Sequence, residues 1–274
     1  MELKKARNWL KDYFKKNNIA TDEADKMLCE VLKIDFSKLV FLENISLFNY
    51  LKIKYFACKR KHKKPLTKIF HNAYFYGEKF YVNNNVLSPR QETEILVEKV
   101  LQEIGNSDDI SVLDLCTGSG VIATVLAQKT SAKVFASDIS KKALKVAKLN
   151  SKKHNADVNF IHSDMFQNIS QKFDIIVSNP PYIETKVCKT LDDEVKKYDP
   201  MISLDGGKDG LNYYRIIAEQ SAKHLNVQGK VFVEIGYNQR KCVEQLFLSQ
   251  GFDTICYKDY SNNDRIIVAT KIEK

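Results

Sequence analysis

Apolar residues recur at helical spacing through the first sixty positions, and then the rhythm changes. Trp9-Leu10 and Tyr13-Phe14 lie one turn apart, and Ala24, Met27-Leu28 and Val31-Leu32 continue the same period. Thr21-Asp22-Glu23 supplies a helix start with acidic first-turn residues ahead of the second run. Further helices are expected over 36–42 and 47–60. No glycine precedes Gly77 and Pro65 closes the stretch, so residues 1–66 read as a small helical domain. Over 67–90 the texture becomes aromatic, with Phe70, Tyr74, Tyr76, Phe80 and Val82 spaced around a Gly77-Glu78 turn. That pattern predicts a β-hairpin linking two domains.

From 91 to 274 apolar runs alternate with amphipathic ones. Strands are expected at 110–115, 133–137, 158–161, 173–178 and 230–235, with helices at 121–128, 140–154, 211–225 and 239–249 between most of them. This is the pattern of a doubly wound α/β sheet. The last two apolar runs, 252–257 and 265–269, are separated only by a polar turn. It is too short for a crossover helix and implies an antiparallel hairpin. The fold class expected is therefore α/β, a Rossmann-like class I methyltransferase sheet ending in an antiparallel hairpin and preceded by a helical domain. That last step is fold-level analogy.

At 274 residues and 44% apolar the chain can bury a real core. No apolar stretch approaches the ~20 residues of a membrane span. The charged start, Met1 to Lys5, has no apolar signal core, so a cytoplasmic protein without a membrane partner is expected. Six cysteines are scattered with no C-x-x-C pair and no metal-like spacing to the five histidines, so free thiols and no metal are expected. Charge is uneven. Residues 1–90 hold 19 Lys/Arg against 9 Asp/Glu and the rest hold 24 against 25, the densest part being Lys52 to Lys64. Such a face suits nucleic acid, a ribosome-associated partner or an acidic protein, and is equally a solvated lysine-rich surface.

The most informative residues are Asn179-Pro180-Pro181-Tyr182, at the end of the strand 173–178. The turn suits methylation of a planar nitrogen. In an amide that nitrogen's lone pair is delocalised, the resonance behind the ~18–20 kcal/mol rotation barrier, so the nitrogen is a poor nucleophile. The Asn179 side-chain oxygen and the Pro180 carbonyl can accept its two N–H bonds, and Tyr182 can pack on the planar group. Proline fixes φ and donates nothing, so the loop is stiff and rich in acceptors. An ordinary Asn-Pro turn is the plain alternative. Earlier, Leu115 leads into Cys116-Thr117-Gly118-Ser119-Gly120 and a helix, a loop that a ligand can approach closely. It fits NAD as well as S-adenosylmethionine. Asp138, after the second strand, can accept from ribose hydroxyls or serve the next helix as N-cap. Asp164 and Met165 follow the third strand, where they can border adenine. All four segments fall at C-terminal strand ends, and only methyl transfer uses them all.

Together these residues resemble the protein-glutamine N5-methyltransferase family, and within it the release-factor enzymes. The resemblance extends to Ser88-Pro89-Arg90-Gln91-Glu92-Thr93-Glu94, to Asp205-Gly206-Gly207-Lys208-Asp209-Gly210-Leu211 with Tyr214-Arg215, and to Glu234-Ile235-Gly236-Tyr237-Asn238-Gln239. It covers nearly the whole chain. It implies that Asn179 to Tyr182 grip a glutamine side-chain amide and that Asn179, Pro180 and Tyr182 serve catalysis. It further implies that Cys116 to Gly120, Asp138, Met165 and Asn179 hold S-adenosylmethionine, that Thr93 closes over the site, and that class I peptide chain release factors are the substrate. Three residues depart from the family's pattern. Gln91 replaces a usual proline, Met165 a common aromatic, and Cys116 a usual glycine. Cysteine is harmless there at negative φ and obstructive at positive φ. Cys116 is also a feature of the sister enzymes that methylate a large-subunit ribosomal protein, whereas the 88–94 and 234–239 segments favour the release-factor enzymes. An adenine-N6 DNA methyltransferase shares the Asn-Pro-Pro-Tyr chemistry. The chain shows no region large enough to read bases and hold a flipped nucleotide, so direct nucleic-acid binding is not expected.

Overall fold

Ala6, Leu10 and Phe14 stand four residues apart, and the helix they form, α1 (Leu3–Lys16), buries all three. They meet Ala24, Met27 and Leu28 of α2 (Glu23–Leu32). Helices α3 (Phe36–Phe41), α4 (Leu47–Lys61) and α5 (Leu66–Phe70) complete the first unit, Met1–His71 of the computed structural model, which describes residues 1–272. Ser46 caps α4 by accepting the Asn49 N–H at 3.1 Å. Inward, α4 presents Ile53 and Ala57; outward it leaves Leu47, Phe48, Leu51 and Tyr55 exposed. Two forked ion pairs join these helices. Arg7 bonds Asp25 at 2.6 and 2.6 Å, and buried Arg60 bonds Glu23 at 2.6 and 2.8 Å.

The second unit, Asn72–Lys274, begins with an antiparallel hairpin, β1 (Asn72–Phe75) and β2 (Glu78–Tyr81). Phe75 and Phe80 enter this unit's core, so the hairpin is one of its own elements. Then comes α6 (Glu92–Ile104), a helix the sequence reading does not assign. Its run Ile95-Leu96-Val97 is buried throughout, which blurs the 3.6-residue period. Gln91, just ahead of it, has φ −64°, the value proline would impose, so the loss of proline there changes nothing in the backbone.

The α/β part follows as β3 (Ser111–Leu115), α7 (Val121–Lys129), β4 (Lys133–Asp138), α8 (Lys141–Lys153), β5 (Val158–His162) and β6 (Phe173–Ser178). A long connection carries α9 (Thr185–Cys188), α10 (Asp193–Tyr198) and a 3-10 turn at Met201–Ser203. Next come α11 (Asn212–Ser221), β7 (Leu225–Glu234), α12 (Arg240–Ser249), β8 (Phe252–Lys258) and β9 (Asp264–Lys271). The sheet order is β5-β4-β3-β6-β7-β9-β8, parallel except for the β7–β9 and β8–β9 pairs. Side chains alternate between two covered faces, with Val112, Ile175 and Val177 under α6 and α7 and Leu113 and Ile176 under α11 and α12. Strand β7 starts five residues earlier than expected, because its pairing with β6 jumps from Phe173–Leu225 to Ile175–Lys230 across polar residues that mask the strand.

The chain reverses its direction of travel across the sheet between β3 and β6. At that switch point the C-terminal ends of the two strands lie side by side, Leu115 against Ser178, and Ser178 Oγ donates to the Leu115 carbonyl at 2.6 Å. Among the described residues no helix is long and apolar enough to cross a membrane, and no group of three or more His, Cys, Asp or Glu could hold a metal ion.

Candidate functional site

Strand β3 delivers Asp114, fully buried, to the base of the small-residue loop. Its Oδ2 accepts from Thr117 Oγ1 at 2.5 Å and from the Ala123 N–H at 3.1 Å, tying the loop to the first turn of α7. Burial pushes this carboxyl up to about 7. At the end of β4, Asp138 Oδ2 accepts the Gly118 N–H at 2.9 Å and Oδ1 accepts the Ser140 N–H at 2.8 Å. The N-cap of α8 is Ser140, whose Oγ accepts the Ala143 N–H at 3.1 Å. Each Asp138 oxygen keeps a further lone pair. Burial raises Asp138 above the ordinary carboxylate range, opposed by those two backbone donors.

Cys116 has φ +64°, the unfavourable branch for a residue with a Cβ, and Met165 has φ +46°. A side chain in this region costs roughly 1–2 kcal/mol. The two sulfurs meet at 3.8 Å, and burial pushes the Cys116 thiol well up, so it is protonated. Gly120, at φ +78°, faces elsewhere. A Cβ on it would stand 2.7 Å from Ala147 Cβ, so this glycine lets α7 and α8 close on each other.

The other wall is the turn after β6. Asn179 is half-buried and its Nδ2 donates to Thr93 Oγ1 at 3.0 Å; Thr93 Oγ1 donates to Glu234 Oε2 at 2.7 Å. Tyr182 OH reaches Glu234 Oε1 at 3.5 Å, and burial, reinforced by that carboxyl, pushes its phenol up. Gln239 Nε2 donates to the Tyr182 carbonyl at 2.9 Å and the Gly210 carbonyl at 3.3 Å, while its Oε1 accepts the Gly236 N–H at 2.9 Å. A Cβ on Gly206 would stand 2.8 Å from the Pro181 carbonyl oxygen and the Tyr182 Cα, and one on Gly210 would strike the Tyr182 carbonyl. The segments 88–94, 205–211 and 234–239, far apart in sequence, thus all back one four-residue turn.

Both walls border one open cleft of about 1000 Å³. Cys116, Thr117, Gly118, Ser119, Asp138, Met165, Asn179 and Pro181 line it, joined by Thr93, Arg90, Asp164, Ile202 and Tyr213. Gly120, Pro180 and Tyr182 are not among its lining residues. Sequence reasoning gave no role to Asp114, Glu234, Gln239 or Asn150, whose Nδ2 holds the Ser119 carbonyl at 2.8 Å. A signal existed for two of them, since Asp114 and Glu234 are single carboxylates inside apolar strands, Val112–Leu115 and Val231–Ile235.

The family model described as "Methyltransferase small domain" matches residues 83–196. Over 275 aligned residues, 97% of this chain and 98% of the relative, the sequence is 39% identical to the release factor glutamine methyltransferase of Thermodesulfovibrio yellowstonii. The chain belongs to the release factor glutamine methyltransferases. A second member, from Clostridium botulinum, is 38% identical over 258 residues, 91% of each chain. A methyltransferase structure from Pyrococcus furiosus matches with a TM-score of 0.54 at 16% identity, over 80% of this chain and 98% of that one, which shows the fold alone. As release factor glutamine methyltransferases do, this enzyme takes its methyl group from S-adenosylmethionine. The cleft fits that molecule, because Asp138 keeps acceptor capacity for ribose hydroxyls and Ile139 and Met165 offer apolar walls for a base.

Proposed function

We propose that this enzyme methylates the side-chain amide nitrogen of the glutamine in the Gly-Gly-Gln segment of peptide chain release factors. The observation that carries the reading is that Asn179 and Pro181 face the same cleft as the 116–119 loop and Asp138, at the sheet's switch point. S-adenosylmethionine supplies an electrophilic methyl on a sulfonium. Asn179 Oδ1 accepts an N–H of the incoming amide and holds its nitrogen toward that methyl, while Pro180, outside the cleft lining, stiffens the turn from behind. The nitrogen becomes acidic as it forms its new bond, so its proton leaves without a strong base. Positioning of this kind can supply roughly 7–11 kcal/mol of the barrier. Incubation with S-adenosylmethionine and a recombinant release factor, followed by peptide mass spectrometry, should place one methyl on that glutamine. A methyl found only on a ribosomal protein or on DNA would overturn the assignment.

The first unit serves as the dock for the body of the substrate. It holds 17 Lys/Arg against 8 Asp/Glu, whereas residues 72–274 hold 26 of each, so the chain's whole net charge lies there. On α4, Lys52 sits 4.2 Å over the Phe48 ring and Lys59 4.4 Å over the Tyr55 ring, which rims the exposed apolar side chains with cations. An acidic protein surface with apolar side chains complements this face, and such a substrate suits a cytoplasmic enzyme. Replacing Lys59, Lys61, Lys63 and Lys64 by glutamine should raise KM several-fold at low salt and less at high salt, with kcat unchanged. An unchanged KM at low salt would make the face merely solvated.

A further inference from the structure

We infer that Glu234 is a positioning residue for methyl transfer: through the Thr93 hydroxyl it fixes which end of the Asn179 side-chain amide faces the cleft. The inference rests on the reading of Asn179 as the acceptor for the substrate amide. The two ends of an Asn amide are nearly equal in size, so shape alone does not choose between them. The choice decides the chemistry. With its oxygen in the cleft Asn179 accepts a substrate N–H; with its NH₂ there, donor faces donor and the substrate nitrogen is turned away.

A chain of hydrogen bonds makes the choice. Glu234 is 1% exposed, at the end of an apolar strand where a carboxylate is costly to bury. Arg265 directs its guanidinium to Asp259, at 3.1 and 3.2 Å, and to the Ile235 carbonyl at 3.0 Å. The partners of Glu234 are instead Thr93 Oγ1 at 2.7 Å, Tyr182 OH at 3.5 Å and the Asn179 side chain itself, which also helps hold the carboxyl down. An ionised carboxylate only accepts. The single Thr93 proton must therefore go to Glu234, and the Thr93 oxygen is left as an acceptor. Its 3.0 Å partner in Asn179 must then be Nδ2, which sends Oδ1 the other way. A buried carboxyl is not needed for stability, since a well-packed apolar residue serves a strand end as well. Here it gives the chain a polarity, and the same carboxyl receives the phenol of Tyr182 in the same turn.

Protonation would remove that polarity, because a neutral carboxyl can donate to Thr93. Burial pushes Glu234 up to about 7, opposed by the Thr93 hydrogen bond, the Arg265 charge and the Asn179 side-chain hydrogen bond and assisted by Glu92; Tyr182 is the other titratable group against it. The amide being methylated does not titrate in this range, so the rate of transfer should rise with pH through about 7.

The test compares Thr93→Ser, Thr93→Val and Glu234→Gln in the full-length enzyme. Saturating-substrate rates, S-adenosylmethionine affinity by calorimetry, and exchange protection of the Asn179 side-chain NH₂ by NMR would all be measured. Thr93→Ser keeps the hydroxyl and should stay within a few-fold of wild type on all three. Thr93→Val should lower kcat by about 100-fold and weaken the NH₂ protection, with cofactor affinity within about twofold. Glu234→Gln can donate as well as accept, so it should lower kcat by about 10-fold or more and flatten its rise through pH 7. Undiminished, wild-type NH₂ protection in Thr93→Val, or wild-type kcat in Glu234→Gln, would overturn the inference. If wild type leaves the Gly-Gly-Gln glutamine unmethylated, the functional reading fails, and the NMR result still decides whether Thr93 and Glu234 orient Asn179.

Discussion

The cofactor wall of the cleft is held mainly, though not solely, by residues close in sequence, the acceptor wall by residues far apart. Asp114 grips Thr117 three residues on and Ala123 nine residues on, and Asp138 grips Gly118 twenty residues back. Asn179 is steadied by Thr93, 86 residues before it, and Thr93 by Glu234, 141 residues beyond. Gln239 holds Tyr182 across 57 residues. Local ties make a loop that any β-loop-α unit can carry, and it therefore says little about which reaction follows. The distant ties are specific to this acceptor turn. Cofactor binding and methyl transfer should accordingly be separable by mutation.

The largest effect is expected from Asn179→Ala, which should cut methyl transfer by about 1000-fold or more while S-adenosylmethionine still binds. Near-normal turnover would remove Asn179 from the chemistry. Gly206→Ala comes next. Its methyl would press on the backbone of Pro181 and Tyr182, and a shift of about 1 Å should cost about 100-fold in kcat with cofactor affinity kept. Equal losses in both would show that the two walls move together. On the other wall, Asp138→Ala should weaken cofactor binding by about 10- to 100-fold, the worth of charge-assisted hydrogen bonds. With cofactor saturating, its kcat should stay close to wild type.

The smallest effect concerns stability, and each wall contributes one group. Asp114 and Glu234 are raised to about 7 from 3.8 and 4.5, so in that window the folded protein holds protons that the unfolded chain has lost. The stability they contribute is full below the lower values and declines as pH rises through 7. Asp114→Asn or Glu234→Gln should each flatten that decline, read as the urea midpoint between pH 5 and pH 8. An unchanged slope in both would mean that neither carboxyl carries a raised value.

What the sequence revealed follows the same division. The cofactor loop was legible because strand, small-residue turn and acid after the next strand are spaced by local geometry, and β6 was read with its bounds in place. The acceptor wall was legible only as its four residues. That Pro180 and Tyr182 back the cleft and do not line it depends on tertiary packing, as does the turning of Gly120 toward Ala147. The three supporting segments were recognisable as a resemblance, but their common target becomes visible only when β7 lies beside β6. The positive φ of Cys116 was equally out of reach, because a glycine-sized turn leaves no mark once a cysteine occupies it.

The long reach of these ties sets an order on the life of the molecule. A nascent chain emerging as far as residue 225 already carries the glycine loop, Asp138 and the Asn-Pro-Pro-Tyr turn. It lacks Glu234, the Gln239 clamp, and the β9 strand that pairs with Glu234 through Ile266. At that length the Thr93 hydroxyl beside Asn179 lacks the carboxylate that takes its proton. The acceptor wall is therefore the last part of the site to be assembled, complete only when β7, α12 and the closing hairpin are in place.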